Sequence, residues 1–257
     1  MNASEQYEFQ RRFGGIGRLY GEAALARFTA AHVCVIGIGG VGSWAAEALA
    51  RSAIGQLTLI DLDHIAVSNV NRQLHAVEEN LGKAKVQAMA ERIQAINSHA
   101  VVNQVDDFLV EDNLERLIPK GIDYVVDCID QMRVKVALVA YCRRHRIPLI
   151  VSGGAGGRMD ASRVAVADIA QTAGDPLLSK IRAELRRKHG FPRDGKKFGI
   201  EAVYSTEPLQ RPVAGCDTDG PTAGGLSCAG YGSAVAVTAT FGMVAAGRVL
   251  TKLASVA

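Results

Sequence analysis

The stretch Val33-Cys-Val-Ile-Gly-Ile-Gly-Gly-Val-Gly-Ser43, followed by Leu57-Thr-Leu-Ile-Asp-Leu-Asp63, decides the fold. It reads as a strand, a glycine-rich turn, a helix and a second strand ending in an acidic residue. Gly37, Gly39, Gly40 and Gly42 permit a tight turn and close backbone approach, and the helix N-terminus behind them favours phosphate. Asp61 lies 19 residues beyond Gly42, where a carboxylate meets ribose hydroxyls. In isolation this is a dinucleotide fingerprint, and a nicotinamide dehydrogenase is the plain reading of it.

Outward from that stretch, strand-like runs are expected at Val33–Gly37, Leu57–Asp61, Val101–Val105, Tyr124–Cys128 and Leu149–Val151. Helical stretches separate them at Gly42–Ser52, Lys83–Asn97, Glu111–Leu117 and Arg133–His145. Continuous Val/Ile/Leu strands alternating with helices predict an α/β, Rossmann-like, mostly parallel sheet with helices on both faces. A C-terminal strand/helix region extends it, with strands at Val164–Ile169 and Ala202–Ser205 and a helix at Ile181–Lys188. An N-terminal helix is expected to break at Phe13-Gly-Gly15, with another beginning at Gly21. The whole chain, 1–257, reads as one domain: a nucleotide-binding core at about 30–155, a basic insertion at about 175–200 and a C-terminal helix at about 226–253.

A net charge of +3 is too small to identify a partner. The five cysteines, Cys34, Cys128, Cys142, Cys216 and Cys228, contain no C-x-x-C pair, which argues against a disulfide framework and a four-thiolate zinc site. Met1–Arg18 is polar and lacks the apolar run of a signal peptide, so the expected location is cytoplasmic. Gly220–Gly247 carries no charge, but its small residues suit a helix packed against protein or a dimer partner better than a membrane span.

The chain beyond Asp61 does not suit a nicotinamide ring, which needs a mostly apolar slot. Ser68-Asn-Val-Asn-Arg-Gln73 is a polar loop carrying Asn71 and Arg72, and Gly82-Lys-Ala-Lys85 opens a helix with two lysines. Cations and amide donors there suit a triphosphate. Asp127-Cys-Ile-Asp130 ends the fourth strand, where open α/β folds bind ligands; its two carboxylates could hold Mg2+ between phosphates, or Asp127 could cap the next turn.

Taken in order, GxGGxG, D-x-D, S-N-x-x-R-Q, G-x-x-K and D-x-x-D resemble the ubiquitin-activating-enzyme-like adenylyltransferases. The resemblance implies that Gly40 contacts phosphate, that Asp61, with Asp63 beside it, holds the ribose side, and that Asn71, Arg72 and Lys85 hold the triphosphate. Asp130 would stand at a Mg2+ ion carried by ATP, and Arg72, Lys85 and Asp130 form the catalytic set. Family members are homodimers or pseudo-dimers in which an N-terminal arginine reaches the partner's γ-phosphate; Arg18 and Arg12 both qualify here. The expected cofactors are ATP and Mg2+, with room for a monovalent cation and no zinc.

Lys180–Lys197 holds eight Lys/Arg against two acidic residues, a phosphate-backbone footprint whose candidate RNA contacts are Arg182, Arg186, Arg187, Lys188, Lys196 and Lys197. Arg143-Arg-His-Arg146 adds a second cationic patch. Together with Arg12-Phe-Gly-Gly15, Arg18-Leu-Tyr-Gly21, Ala140-Tyr-Cys-Arg-Arg144, Ser152-Gly-Gly-Ala-Gly-Gly157 and Asp175-Pro-Leu177, this is similar to the tRNA threonylcarbamoyladenosine dehydratase group. That resemblance implies adenylation of the nucleoside carboxylate beside the tRNA anticodon, then ring closure by the carbamoyl group with release of AMP. The alternative is activation of a ubiquitin-like sulfur-carrier C-terminus. The group's link to a cysteine desulfurase system makes Cys228 a candidate thiol, against the simpler role of a small buried cysteine. Tyr204, Tyr231 and Phe198 are the nearby aromatics able to stack a base, with core packing as their simpler role.

Overall fold

The computed structural model describes residues 2–210 and 231–255. Cys216, Cys228 and the first residues of the expected C-terminal helix lie outside them. Elements run α1 (Ala3–Tyr20), α2 (Glu22–Ala30), β1 (His32–Ile36), α3 (Gly42–Arg51), β2 (Gln56–Ile60), α4 (Lys85–Ile96), β3 (Val101–Val105), α5 (Leu114–Leu117) and β4 (Tyr124–Asp127). Beyond β4 come α6 (Met132–His145), β5 (Leu149–Ser152), β6 (Val164–Asp168), α7 (Pro176–Lys188), β7 (Glu201–Ser205) and α8 (Val235–Ala254). Among the described residues they form a seven-stranded sheet in the order β3-β2-β1-β4-β5-β7-β6. Every pairing is parallel except β6 with β7.

The pleat of β1 explains why its sequence is apolar throughout. Val33 and Val35 enter one core with residues of α2, α3, α4 and α8, whereas Cys34 and Ile36 enter the other with α5, α6 and α7. A strand covered on both faces needs no polar side. The order reverses at β1, with β2 on one side and β4 on the other, which leaves a crevice at the carboxyl ends of these strands.

Three expectations change. Phe13-Gly-Gly15 does not break α1, which runs on to Gly21 (φ 93°). A capping box between Asn2 and Glu5 starts this helix, and Phe9 and Phe13 bury against Leu25 and Ala53. That burial outweighs the roughly 1 kcal/mol that each glycine costs in a helix. Helix α7 begins five residues before the expected Ile181, because Asp175 accepts from Leu178 N at 2.9 Å and Pro176 stands at its first turn. The C-terminal helix starts at Val235, not near 226, and buries Val237, Phe241, Ala245 and Val249 against its own chain. At Gly242 it lies so close to α3 that a side chain would strike the Val41 carbonyl. Among the described residues no helix is long and apolar enough to cross a membrane.

Candidate active site

The ends of β1 to β5 open into one cavity of about 780 Å3. Gly37, Gly39 and Gly40 line it after β1, Asp61 and Asp63 after β2, and Asp130 after β4, with Asn71, Arg72 and Lys85 closing the side beyond. Gly37 has φ 84°, and a Cβ there would sit 3.0 Å from the Cys128 carbonyl carbon and oxygen. Only glycine lets the β1–α3 turn lie against the β4–α6 turn. Gly42 does not line the cavity; it meets the Gly37 carbonyl so closely that no Cβ fits. Its geometry is that of the turn and not of a ligand contact.

Asp61 Oδ2 accepts from Ile38 N at 2.6 Å and its Oδ1 from Asp63 N at 2.9 Å. Burial pushes this carboxyl up, while Lys85 and the two backbone donors pull it back. Lys85 Nζ stands 2.7 Å from Asp63 Oδ2 and 4.0 Å from Asp61 Oδ1, with only 6% of its side chain exposed. The buried ammonium is thus held between two carboxylates at the end of one strand.

Arg72 Nη1 donates to Ser68 O at 2.7 Å and to Asn71 Oδ1 at 2.8 Å, and Trp44 Nε1 holds the Arg72 carbonyl at 3.0 Å. The arginine stem lies beside Gly40, where a Cβ would meet Arg72 Cγ at 3.3 Å. Asn71 Nδ2 donates to Ser233 O at 3.0 Å, tying this loop to the approach of α8. Thr238, in the first turn of α8, also lines the cavity. The N-termini of α3 and α8 therefore flank the Gly40 turn and add positive potential there.

The paired-carboxylate reading of Asp127 and Asp130 does not hold. Asp127 is buried and forms an ion pair with the equally buried Lys135 at 2.8 Å, while Asp130 lines the cavity. Cys128 reaches the cavity, but burial pushes its thiol up to about 12, as it does for Cys142. Among the described residues no group of three or more His, Cys, Asp or Glu stands together to hold a metal.

Other expected residues are dispersed. Arg12 Nη1 donates to Ile96 O at 3.1 Å, Arg18 is exposed, and neither lines the cavity. In the basic stretch, Arg182 is spent on the Ile169 and Thr172 carbonyls and Arg186 on the Pro192 carbonyl. Arg187 and Lys188 pair with Glu184 at 2.8 and 3.0 Å. Lys196 and Lys197 are exposed. Arg143 stacks over Phe191 at 4.3 Å, joining the α6 patch to this stretch as one basic face.

Ser152–Gly156, Asp107, Phe108, Gln73 and Thr238 also line the cavity, and no motif in the sequence marks them as ligand contacts. The run Gly153-Gly-Ala-Gly-Gly157 was the one available signal, since a wall without side chains suits close ligand approach.

Fold and site together define a nucleotide-binding α/β protein with its phosphate turn at the switch point of the sheet. The chain belongs to the ThiF family, whose model matches residues 15–256. It is 49% identical to the tRNA threonylcarbamoyladenosine dehydratase of Haemophilus influenzae, over 95% of this chain and 94% of that one. The crystal structure of the Escherichia coli tRNA N6-threonylcarbamoyladenosine dehydratase in complex with ATP superposes with a TM-score of 0.87 and 48% identity, covering 96% of this chain and 95% of that chain. A molybdopterin-synthase adenylyltransferase of Salmonella typhimurium is 38% identical over 51% of each chain.

Proposed function

We propose that this single-domain chain uses ATP to dehydrate N6-threonylcarbamoyladenosine beside a tRNA anticodon. The observation that carries the reading is the convergence of Asp61, Arg72, Lys85 and Asp130 with the Gly37–Gly40 turn on one cavity. In the first step the nucleoside carboxylate attacks the α-phosphorus of ATP, and pyrophosphate leaves. Arg72 and Lys85 offset the charge that builds on the phosphoryl oxygens, and Asp61 accepts from the ribose. In the second step the carbamoyl group attacks the activated carboxyl carbon and AMP leaves, so the ring closes with net loss of water.

Asp130, a hard oxygen ligand on the cavity wall, fits Mg2+ carried by the phosphates. Bound there, the ion would supply further charge neutralisation. The tRNA backbone is held by Lys196, Lys197 and Arg193 with Arg143, Arg144 and Arg146. Arg182 and Arg186 shape that face from within. The working form is a cytoplasmic homodimer in which Arg18 reaches the partner's nucleotide, and a cysteine desulfurase system is its partner.

The test is exchange of labelled pyrophosphate into ATP. Exchange that requires tRNA bearing the threonylcarbamoyl group supports the reading. Exchange driven instead by a carrier protein with a diglycine-like C-terminus would establish the alternative acceptor, which uses the same adenylation chemistry.

A further inference from the structure

The cavity has two chemically different halves. Among the described residues, every charged residue on its wall (Asp61, Asp63, Arg72, Lys85, Asp107 and Asp130) follows β2, β3 or β4 or stands on the adjoining loop and helix. The remainder, formed among the described residues by Ser152 at the end of β5, residues 153–156, Leu177 and residues 231–233, carries no charge. From Gly153 to Gly156 that wall bears nothing larger than the Ala155 methyl. Tyr231 is the one aromatic side chain there among the described residues, half-buried beside Gly156 and Gly157. A Cβ at Gly157 would lie 3.2 Å from Tyr231 Cδ1, and one at Gly156 would lie 3.6 Å from Tyr231 Cβ.

The other aromatics able to stack a base are engaged elsewhere. Phe198 is buried edge-on against Phe191 with ring centroids 4.9 Å apart, and Tyr204 sits in β7 away from the cavity. Phe108 is 50% exposed and lines the cavity beyond β3, on the side of the Asp61 carboxylate to which the proposed function assigns the ATP ribose.

We propose that Tyr231 is the stacking platform for the substrate's purine and thereby holds the nucleoside so that its carboxylate meets the α-phosphate. The inference rests on the function proposed above and adds the residue that holds the acceptor base. An unpaired loop base is recognised chiefly by stacking on an aromatic plane, and a flat wall without side chains admits that plane edge-on or face-on. The charged half then keeps ATP, and the uncharged half takes the base. Tyr231 is a substrate-binding residue and contributes no proton or charge to the reaction.

The experiment uses the full-length protein, tRNA bearing N6-threonylcarbamoyladenosine, ATP and Mg2+, with turnover read as nucleoside mass. Tyr231→Leu should raise the KM for tRNA about tenfold, within the range for loss of one base stack. Its KM for ATP, and ATP binding by equilibrium dialysis, should stay within about twofold of wild type on the same grounds of separated halves. Tyr231→Phe and Tyr231→Trp, which keep the plane, should restore the tRNA KM. Unchanged tRNA KM in Tyr231→Leu, or equal losses for ATP and tRNA, would overturn the assignment. Wild-type protein that binds ATP but leaves the tRNA unchanged would overturn the underlying function and the Tyr231 inference with it.

Discussion

Asp127 and Lys135 form an ion pair at 2.8 Å in which neither side chain is exposed. Asp127 ends β4, and its Oδ1 also accepts from Ile129 N at 3.0 Å. Burial pushes the Asp127 carboxyl up, and Lys135 opposes that most strongly. The pair therefore clamps, from behind, the short segment that carries Asp130 to the cavity. It also explains why the two aspartates of one motif have different fates.

Removing one partner leaves an uncompensated buried charge. Lys135→Met should cost about 3–5 kcal/mol of stability, and Asp127→Asn combined with Lys135→Met should recover a substantial part of it. Urea denaturation of the two variants checks this. Equal losses in the single and double variants would show that the pair is not what holds the turn.

Two glycines of the phosphate turn should fail differently. Gly42→Ala puts a Cβ into the Gly37 carbonyl, a backbone atom that cannot yield, so the variant should be strongly destabilised. Gly40→Ala meets Arg72 Cγ at 3.3 Å and Thr238 Cγ2 at 3.4 Å, side-chain atoms that can shift. It should fold within about 1 kcal/mol of wild type while losing ATP affinity roughly tenfold, as expected for a displaced phosphate contact. Thermal melts with and without ATP separate the two outcomes.

The same contrast shows what the residues reveal before folding. Asp61, Arg72, Lys85 and Asp130 are legible because each follows a strand end, stands in a polar loop motif or opens a helix at fixed spacing, and parallel strands bring such positions to one edge. Asp127 is legible as the cap of the next turn, which its bond from Ile129 N makes it, but its pairing is not, because that depends on Lys135, one element away and fully buried. Arg182 and Arg186 read as surface charge, yet the carbonyls that absorb them come from loops on either side of α7. Tyr231 and Ser152–Gly156 meet only after the chain has crossed β6 and β7, a juxtaposition that no local pattern encodes.

His75 supplies a pH-dependent test of the site's underside. It is buried, its Nε2 bonds the Ile38 carbonyl at 2.9 Å, and desolvation lowers its pKa from 6.5 to about 4, helped by Lys85. The unfolded chain binds a proton below pH 6.5 that the folded chain refuses until about pH 4, so this residue's contribution falls as pH drops through that window. The loss should reach about 3 kcal/mol. His75→Gln, which keeps a donor for Ile38, should flatten the stability curve between those limits. Parallel curves for wild type and variant would contradict the assignment.

The basic face should act through phosphates. Lys196→Gln with Lys197→Gln should weaken tRNA binding and lower the log–log salt slope by about 1.5, the value for two lost phosphate contacts. Arg182→Gln should instead reduce stability, because its guanidinium serves the Ile169 and Thr172 carbonyls. Filter binding across a salt series, beside denaturation curves, distinguishes the two roles.

The most direct measurement is the mass of nucleosides released from tRNA bearing N6-threonylcarbamoyladenosine after incubation with the protein, ATP and Mg2+. The account predicts a nucleoside lighter by one water, absent without ATP and absent with Asp130→Ala. Unchanged nucleoside from protein that demonstrably binds ATP would contradict it.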